Sequence, residues 1–326
     1  MPPLVSVVMP AYNSEKFLGQ AIESILHQTF EDFEFIIVAD KSPDGSDIIL
    51  EHYAKKDNRI KIILGDKLGL IASLNKGCRL AEGKYIARMD ADDISLPYRF
   101  ERQVQYLEEH PEIGVLGSGI RYIDDADRLG KSVHNPKDPK LIKFYLHLEN
   151  CFVHPSVMMR RKIIERLGFY NPEAIHAEDY DLWARATSIT QVSNLYDILL
   201  EYRVWSGGIS SHNSILRDKS VVLIRQSMIE KLLNRHVPQD SIITPFRVAK
   251  LSPARMVLEM VRVASFVPNL YISYLKSNDV SGKKSLELVY LMLVFIKNIF
   301  KEILIVRVLP RWNLRPRLLS ILLSNG

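Results

Sequence analysis

Cysteine is scarce in this chain: its 326 residues contain two, Cys78 and Cys151. Two cysteines make no disulfide framework, which excludes the small oxidised scaffolds and fits a reducing compartment. Each reads as a small buried apolar residue. The start, Met1-Pro2-Pro3-Leu4-Val5, has no basic region followed by a long apolar stretch, so no signal peptide is expected. Long uncharged runs are missing too. The most apolar segment, Leu286 to Val306, is interrupted by Glu287, Lys297, Asn298, Lys301 and Glu302. Its longest uncharged stretch, Leu288–Ile296, is too short to span a bilayer. Internal repeats, low-complexity tracts and nucleic-acid recognition motifs are absent, so no nucleic-acid partner is expected.

What is present is a core and a lopsided charge. Apolar residues make up 47% of the chain, enough to bury a sizeable interior. The net charge is +5, yet residues 245–326 hold 13 Lys/Arg against four Asp/Glu, a net of +9, and the remainder nets −4. A basic segment on a mildly acidic body implies attraction to an anionic surface. From about Ser214 onward the pattern is helical. Basic residues beside Tyr, Phe and Leu fit a helix lying on a membrane, and packing on the same domain or on a homodimer partner fits equally.

The first hundred residues alternate between two periods. Apolar runs at Leu4–Met9, Phe33–Ala39, Ile60–Leu64 and Lys84–Met89 predict buried strands. Helical spacing between them predicts helices capped at Asn13 or Ser14, running to about Lys55, and spanning Leu70–Leu80. Four strands separated by three helices imply βαβ units and a mostly parallel sheet. Ligands bind such sheets beyond the carboxyl ends of the strands. Pro10-Ala11-Tyr12-Asn13, Asp40-Lys41-Ser42 and Asp90-Ala91-Asp92-Asp93 all fall on that edge. Beyond Gly114 the pattern loosens into strands near Val115–Ile123, Ser156–Met159, Gln191–Tyr196 and Leu199–Val204. Helices are expected near Pro139–His147, Arg161–Leu167 and Asp179–Ala186.

The acid cluster carries the most information. An apolar strand ends in three carboxylates within four residues, which repel one another unless a cation joins them. Mg²⁺ or Mn²⁺ takes oxygen ligands and shares them with substrate phosphates. The plain alternative is capping of the helix near Pro97, which would account for one Asp rather than three. Asp179 is likewise a candidate base or a helix cap.

Together these segments resemble the family 2 glycosyltransferases, inverting enzymes of the GT-A fold that use nucleotide-diphosphate sugars. Val5-Ser6-Val7-Val8-Met9-Pro10-Ala11-Tyr12-Asn13 matches the opening motif, and Asp90-Ala91-Asp92 the metal motif. Glu178-Asp179 matches the acceptor-side motif. Leu74-Asn75-Lys76-Gly77 and His154-Pro155-Ser156-Val157-Met158 resemble the bacterial branch that builds surface polysaccharides. The resemblance covers about residues 4–213. Two departures stand out: Ala39 where an Asp is usual, and Lys41 where Gly or Asn is usual.

The resemblance implies a GT-A catalytic domain over 1–213, with a donor half at 1–113 and an acceptor half at 114–213, and a helical region at 214–326. It implies a UDP-sugar donor bound by Pro10, Ala11, Tyr12, Asn13, Asp40, Asn75, Arg88, Asp90, Ala91, Asp92 and Arg203. Asp40 would meet the uracil edge and Arg203 the diphosphate, and Ser206–Ser210 would form a lid. Asp92 and Asp90 would hold Mn²⁺ or Mg²⁺. Asp179 would be the base, with Glu178, Trp183 and His154 on the acceptor side. The acceptor would be a saccharide, lipid-linked, at the cytoplasmic face of the cell membrane. Two rivals are a sugar-nucleotide nucleotidyltransferase and a non-catalytic sugar-binding or scaffold protein. The first lacks its Gly-rich phosphate loop after the first strand; the second would have lost Asp92 or Asp179.

Overall fold

The structure is a computed structural model that describes residues 2–207, 214–239, 242 and 270–276. The chain divides into two units, Met1–Ile224 and Arg225–Gly326. The site described below lies in the first. Residues 208–213, which include most of the expected lid, lie outside the described residues. So does most of the basic segment 245–326, of which 270–276 is helical. No helix among the described residues is long and apolar enough to cross a membrane.

The element order is β1 (Val5–Ala11), α1 (Glu15–Leu26), β2 (Phe33–Asp40), α2 (Ser46–Lys56), β3 (Ile60–Gly65), α3 (Gly69–Leu80) and β4 (Tyr85–Arg88). It continues with β5 (Ile94–Ser95), α4 (Arg99–Glu109), β6 (Ile113–Ile123), β7 (Leu129–Val133), α5 (Pro139–Tyr145), a 3₁₀ turn (His154–Ser156) and β8 (Met158–Arg160). Next come α6 (Arg161–Arg166), α7 (Glu178–Ala186), β9 (Gln191–Arg203) and α8 (Ser214–Leu233). The sheet order is β3-β2-β1-β4-β8-β6-β9-β5, with β7 on β6. The first four strands are parallel. β8 runs antiparallel to β4 and to β6, and β9 is parallel to β6. The ends of β1, β2, β4, β6 and β9 therefore share one edge.

Alternation within the strands decides which helix covers which face. Val5, Val7 and Met9 of β1 share a core with Leu18, Ile22 and Ile25 of α1 and Phe100 and Leu107 of α4. Val8 points the other way, against α3. A side chain at Gly77 would meet Val8 Cγ1 at 2.6 Å, so glycine lets α3 lie close to the sheet.

Two expectations changed in the tertiary context. The strands read at Gln191–Tyr196 and Leu199–Val204 are one strand, whose pairing with β6 shifts register between Gly117 and Gly119. A bulge there lets the chain pass Asp197 without ending the ladder. The cap of α1 also differs. Ser14 stands at the N-cap, but its hydroxyl bonds back to the Tyr12 backbone and makes no capping bond to the helix. Asp44, from the loop after β2, accepts from Glu15 N through Oδ2 at 3.0 Å and from Ser46 N through Oδ1 at 3.2 Å. The two loops are further tied by Asn13 N to Ser42 Oγ, with Asn13 in the left-handed region at φ 50°.

Candidate active site

β4 ends beside β1, where Val8 pairs with Arg88, and delivers the acid cluster to the shared edge. One carboxylate oxygen from each of Asp90, Asp92 and Asp93 lies within 4.8 Å of the others. None caps α4, which starts at Arg99 after Tyr98 without a side-chain cap. Each acid is held through one oxygen. Arg88 pairs with Asp90 Oδ2, Trp205 Nε1 donates to Asp92 Oδ2 at 2.8 Å, and Arg203 N donates to Asp93 Oδ1 at 2.8 Å. The second oxygen of Asp93 is buried with no partner among the described residues. Burial, and then the neighbouring Asp90, push the pKa values of Asp92 and Asp93 above the ordinary carboxylate value. Hard oxygen donors, mutual repulsion and an orphaned buried oxygen fit a divalent cation.

Cations of the chain itself lie beneath. Arg88 is buried; burial opposes its charge, but Asp90 outweighs it and strengthens its hold on the proton. Arg99 is fully buried, donates to the Arg88 carbonyl at 2.7 Å, and is lowered to about 9 by burial and by Arg88.

α7 brings the second pair of acids. Glu178 and Asp179 stand in its first turn, where the helix dipole favours negative charge. Asp179 Oδ1 accepts from Tyr180 N at 2.7 Å and Oδ2 from Asn150 Nδ2 at 2.8 Å. Glu178 Oε2 is buried and unpartnered among the described residues. Burial first and Asp179 second push Glu178 up to about 7, and Asp90 adds to this. Asp179 is raised by burial, against its two hydrogen bonds and the positive charges of Arg217 and Arg88. The α7 acids and the β4 acids thus act on one another and on Arg88.

Several expected site residues stand elsewhere or do other work. Tyr12 is 63% exposed beside β1, with Pro10, Ala11 and Asn13 next to it, so its ring is open to a ligand. Asp40 is buried at the end of β2 and accepts from Leu68 N and Gly69 N at 3.0 and 2.8 Å, which anchors the start of α3. Asn75 uses both ends of its amide on the Tyr170 backbone, at 2.9 Å each. His154 is buried and hydrogen-bonded to the Tyr170 hydroxyl at 2.8 Å. Trp183 has no exposed surface and packs on Phe152 and His154, so it offers no face for a sugar; a core position replaces the expected acceptor-side role. Arg203 is also corrected. Its guanidinium is enclosed, donating to the Asp92 carbonyl, the Asp124 carbonyl, Asp127 and Gln20, with its carbon 4.1 Å from the Phe17 ring centre. It straps β9 to the acid loop. Ala91 is buried between the acids.

Sequence reasoning missed Trp205, Asn150 and Tyr170. Trp205 follows Tyr202-Arg203-Val204 and could have been noticed as the aromatic nearest the expected diphosphate residue. Asn150 and Tyr170 carried no local signal. A cavity of about 700 Å³ lined by Glu112, Lys162, Arg166, Thr187 and Gln191 lies apart and contains none of these acids.

Comparison with known proteins decides the family. Residues 6–168 match the profile of Glycosyl transferase family 2. The chain belongs to glycosyltransferase family 2. It is 42% identical over 207 residues to an uncharacterized glycosyltransferase of Methanocaldococcus jannaschii, covering 62% of this chain and 71% of that one. It is 35% identical over 209 residues to the O-antigen biosynthesis glycosyltransferase WbnJ of Escherichia coli, covering 62% and 80%. A third relative, 28% identical over 213 residues and covering 64% and 80%, is the E. coli UDP-Glc:alpha-D-GlcNAc-diphosphoundecaprenol beta-1,3-glucosyltransferase WfgD. The crystal structure of S. aureus TarS 1-349 in complex with UDP-GlcNAc superposes with a TM-score of 0.60 at 20% identity, over 93% of this chain and 90% of that one. The fold is GT-A, and the protein is a glycosyltransferase by family.

Proposed function

We propose that this glycosyltransferase moves a hexose or N-acetylhexosamine from a UDP-sugar to a hydroxyl of a saccharide acceptor, with inversion at the anomeric carbon. The observation that carries this reading is the cluster of Asp90, Asp92 and Asp93 at the carboxyl edge with its orphaned Asp93 oxygen, while the charge of Asp90 is felt at Glu178 in the first turn of α7. In this reading the Tyr12 ring lies beside the base of the donor. Asp40 fixes the loop before α3 at the uracil edge, and Arg88 holds Asp90. Asp92 and Asp90 would hold Mn²⁺ or Mg²⁺, which when bound offsets charge on the leaving diphosphate. Asp179 accepts the proton of the attacking hydroxyl. A direct displacement needs one base and no protein nucleophile, and in this reading Asp179 is that base. Glu178, whose pKa burial and Asp179 raise, is suited to holding sugar hydroxyls as donor or acceptor.

The acceptor in this proposal is lipid-linked. The name of the E. coli relative WfgD states a diphosphoundecaprenol acceptor for that protein, and the +9 charge of 245–326 suits anionic lipid head groups. In this proposal the enzyme acts at the inner face of the cell membrane as a peripheral protein; a homodimer through the same segment is the competing use of it.

The test is UDP release from UDP-glucose, UDP-galactose, UDP-N-acetylglucosamine and UDP-N-acetylgalactosamine, with Mn²⁺ or EDTA. Release from one donor is expected, suppressed by EDTA and lowered at least about a hundredfold in Asp92→Ala and Asp179→Asn. Absence of release, together with no metal-dependent UDP binding, would remove the UDP-sugar reading.

A further inference from the structure

The connector between α5 and the 3₁₀ turn, residues 146–153, is docked on α7 at three points. The Tyr180 hydroxyl donates to the Leu146 carbonyl. The Phe152 ring lies 5.5 Å from that of Trp183. Between them, Asn150 Nδ2 donates to Asp179 Oδ2 at 2.8 Å. Leu148, Cys151 and Phe152 are buried on either side, so this stretch of backbone is held in place. The Asn150 amide has one possible orientation. Its Oδ1 accepts from Phe152 N at 3.0 Å, and a backbone N–H can only donate. The NH₂ end is therefore the end that faces Asp179.

We propose that Asn150 is a positioning residue for the transfer reaction, holding the Asp179 carboxylate ionised and in one orientation for the acceptor hydroxyl. This rests on the assignment of Asp179 as base. The two hydrogen bonds to Asp179 come from different elements, Tyr180 N from its own helix and Asn150 from the connector. Together they fix the plane of the carboxylate, because each oxygen has one donor. Fixing a reacting group before the substrate arrives removes reorganisation from the reaction itself. The chemistry also needs the charge. Asn150 favours the ionised form against the burial that opposes it. The other charged or titratable groups acting on Glu178 and Asp179 include Arg88 at the end of β4, Asp90 after it, Arg217 on α8 and Tyr170 in the loop before α7.

The test compares the full-length protein with Asn150→Ala, Asn150→Asp and Asp179→Asn. Carbon-13 carboxyl titration, with the Asp179 signal assigned by its loss in Asp179→Asn, needs no substrate. Its midpoint should rise by about one unit in Asn150→Ala, as expected for losing a hydrogen bond to a charged group. It should rise further in Asn150→Asp, which keeps the side-chain volume and adds a like charge. In UDP-sugar hydrolysis, kcat should fall about tenfold to a hundredfold with KM for the donor unchanged, and the acid limb of kcat should move to higher pH. A purely structural tie would lower the melting temperature and leave the midpoint and the limb where they are; that result overturns the inference. If Asp179→Asn hydrolyses donor like the wild type, the base assignment falls and the inference with it. If Asp179→Asn is inactive while both Asn150 variants titrate and turn over like wild type, only the inference falls.

Discussion

Two edges of the same sheet bury a glutamate each, and the two are treated in opposite ways. At the amino edge, Glu34 is 4% exposed. Its Oε1 accepts from Ser6 Oγ at 2.5 Å and from Glu82 N at 2.8 Å, and its Oε2 from Lys61 Nζ at 2.7 Å. Burial would raise its pKa, but these partners more than offset it and hold the group below the usual carboxylate range. At the carboxyl edge, Glu178 is 6% exposed, one of its oxygens has no partner among the described residues, and burial pushes it up to about 7. Burial alone therefore says nothing of function. What separates a structural acid from a reactive one is whether its partners are already present, and the carboxyl edge leaves its partners to a ligand.

The largest effect should come from breaking the satisfied edge. Glu34→Ala leaves Ser6, Glu82 N and Lys61 without their acceptor and should cost about 2–4 kcal/mol in denaturant unfolding. The activity of the protein that remains folded should be unchanged. A loss of turnover at constant stability would contradict the division drawn above.

A smaller effect, of opposite pH sign, is expected at Glu178. Its folded-state value is raised, so between about pH 4.5 and 7 the folded protein binds more protons than the unfolded chain. Its contribution to stability is then present at low pH and is lost as pH rises through the folded value. Glu34, being lowered, contributes stability above the unfolded value and loses it as pH falls. Melting temperature measured from pH 7 down to 5 should show a Glu178-dependent gain on the order of 1 kcal/mol that disappears in Glu178→Gln. An identical pH profile in that variant would remove the distinction.

The smallest effect tests an orphan of another kind. Trp183 Nε1 is also buried and unpartnered among the described residues, but its ring sits in the core. Trp183→Phe forfeits no hydrogen bond and should cost roughly 1–2 kcal/mol for the lost packing. The KM for an acceptor should not change. A KM rise of tenfold or more would return Trp183 to the acceptor site.

Much of this was legible along the chain because it depends on near neighbours. Continuous apolar runs identified β1 to β4, and the abrupt change from Met89 to Asp90 located the acid cluster. What failed did so where distant residues decide. Whether Arg203 meets a phosphate or a carbonyl depends on Gln20, Asp124 and Asp127, which come from α1 and from the turn between β6 and β7. Whether Trp183 is a platform or a core side chain depends on Phe152 and His154. Asn75 follows the same rule, since its partner Tyr170 is 95 residues away.

By itself the sequence determined that β1 to β4 would form a parallel half-sheet and that Asp90, Asp92 and Asp93 would leave it together, whereas β5, β7 and β8 pair antiparallel and make the whole sheet mixed. Strand period and carboxylate spacing are local properties. Only the tertiary structure decided that α7 would bring Glu178 and Asp179 to those acids, and that Asn150 would meet Asp179 from a separate connector. Those meetings depend on how helices pack across a twisted sheet, which no local pattern encodes.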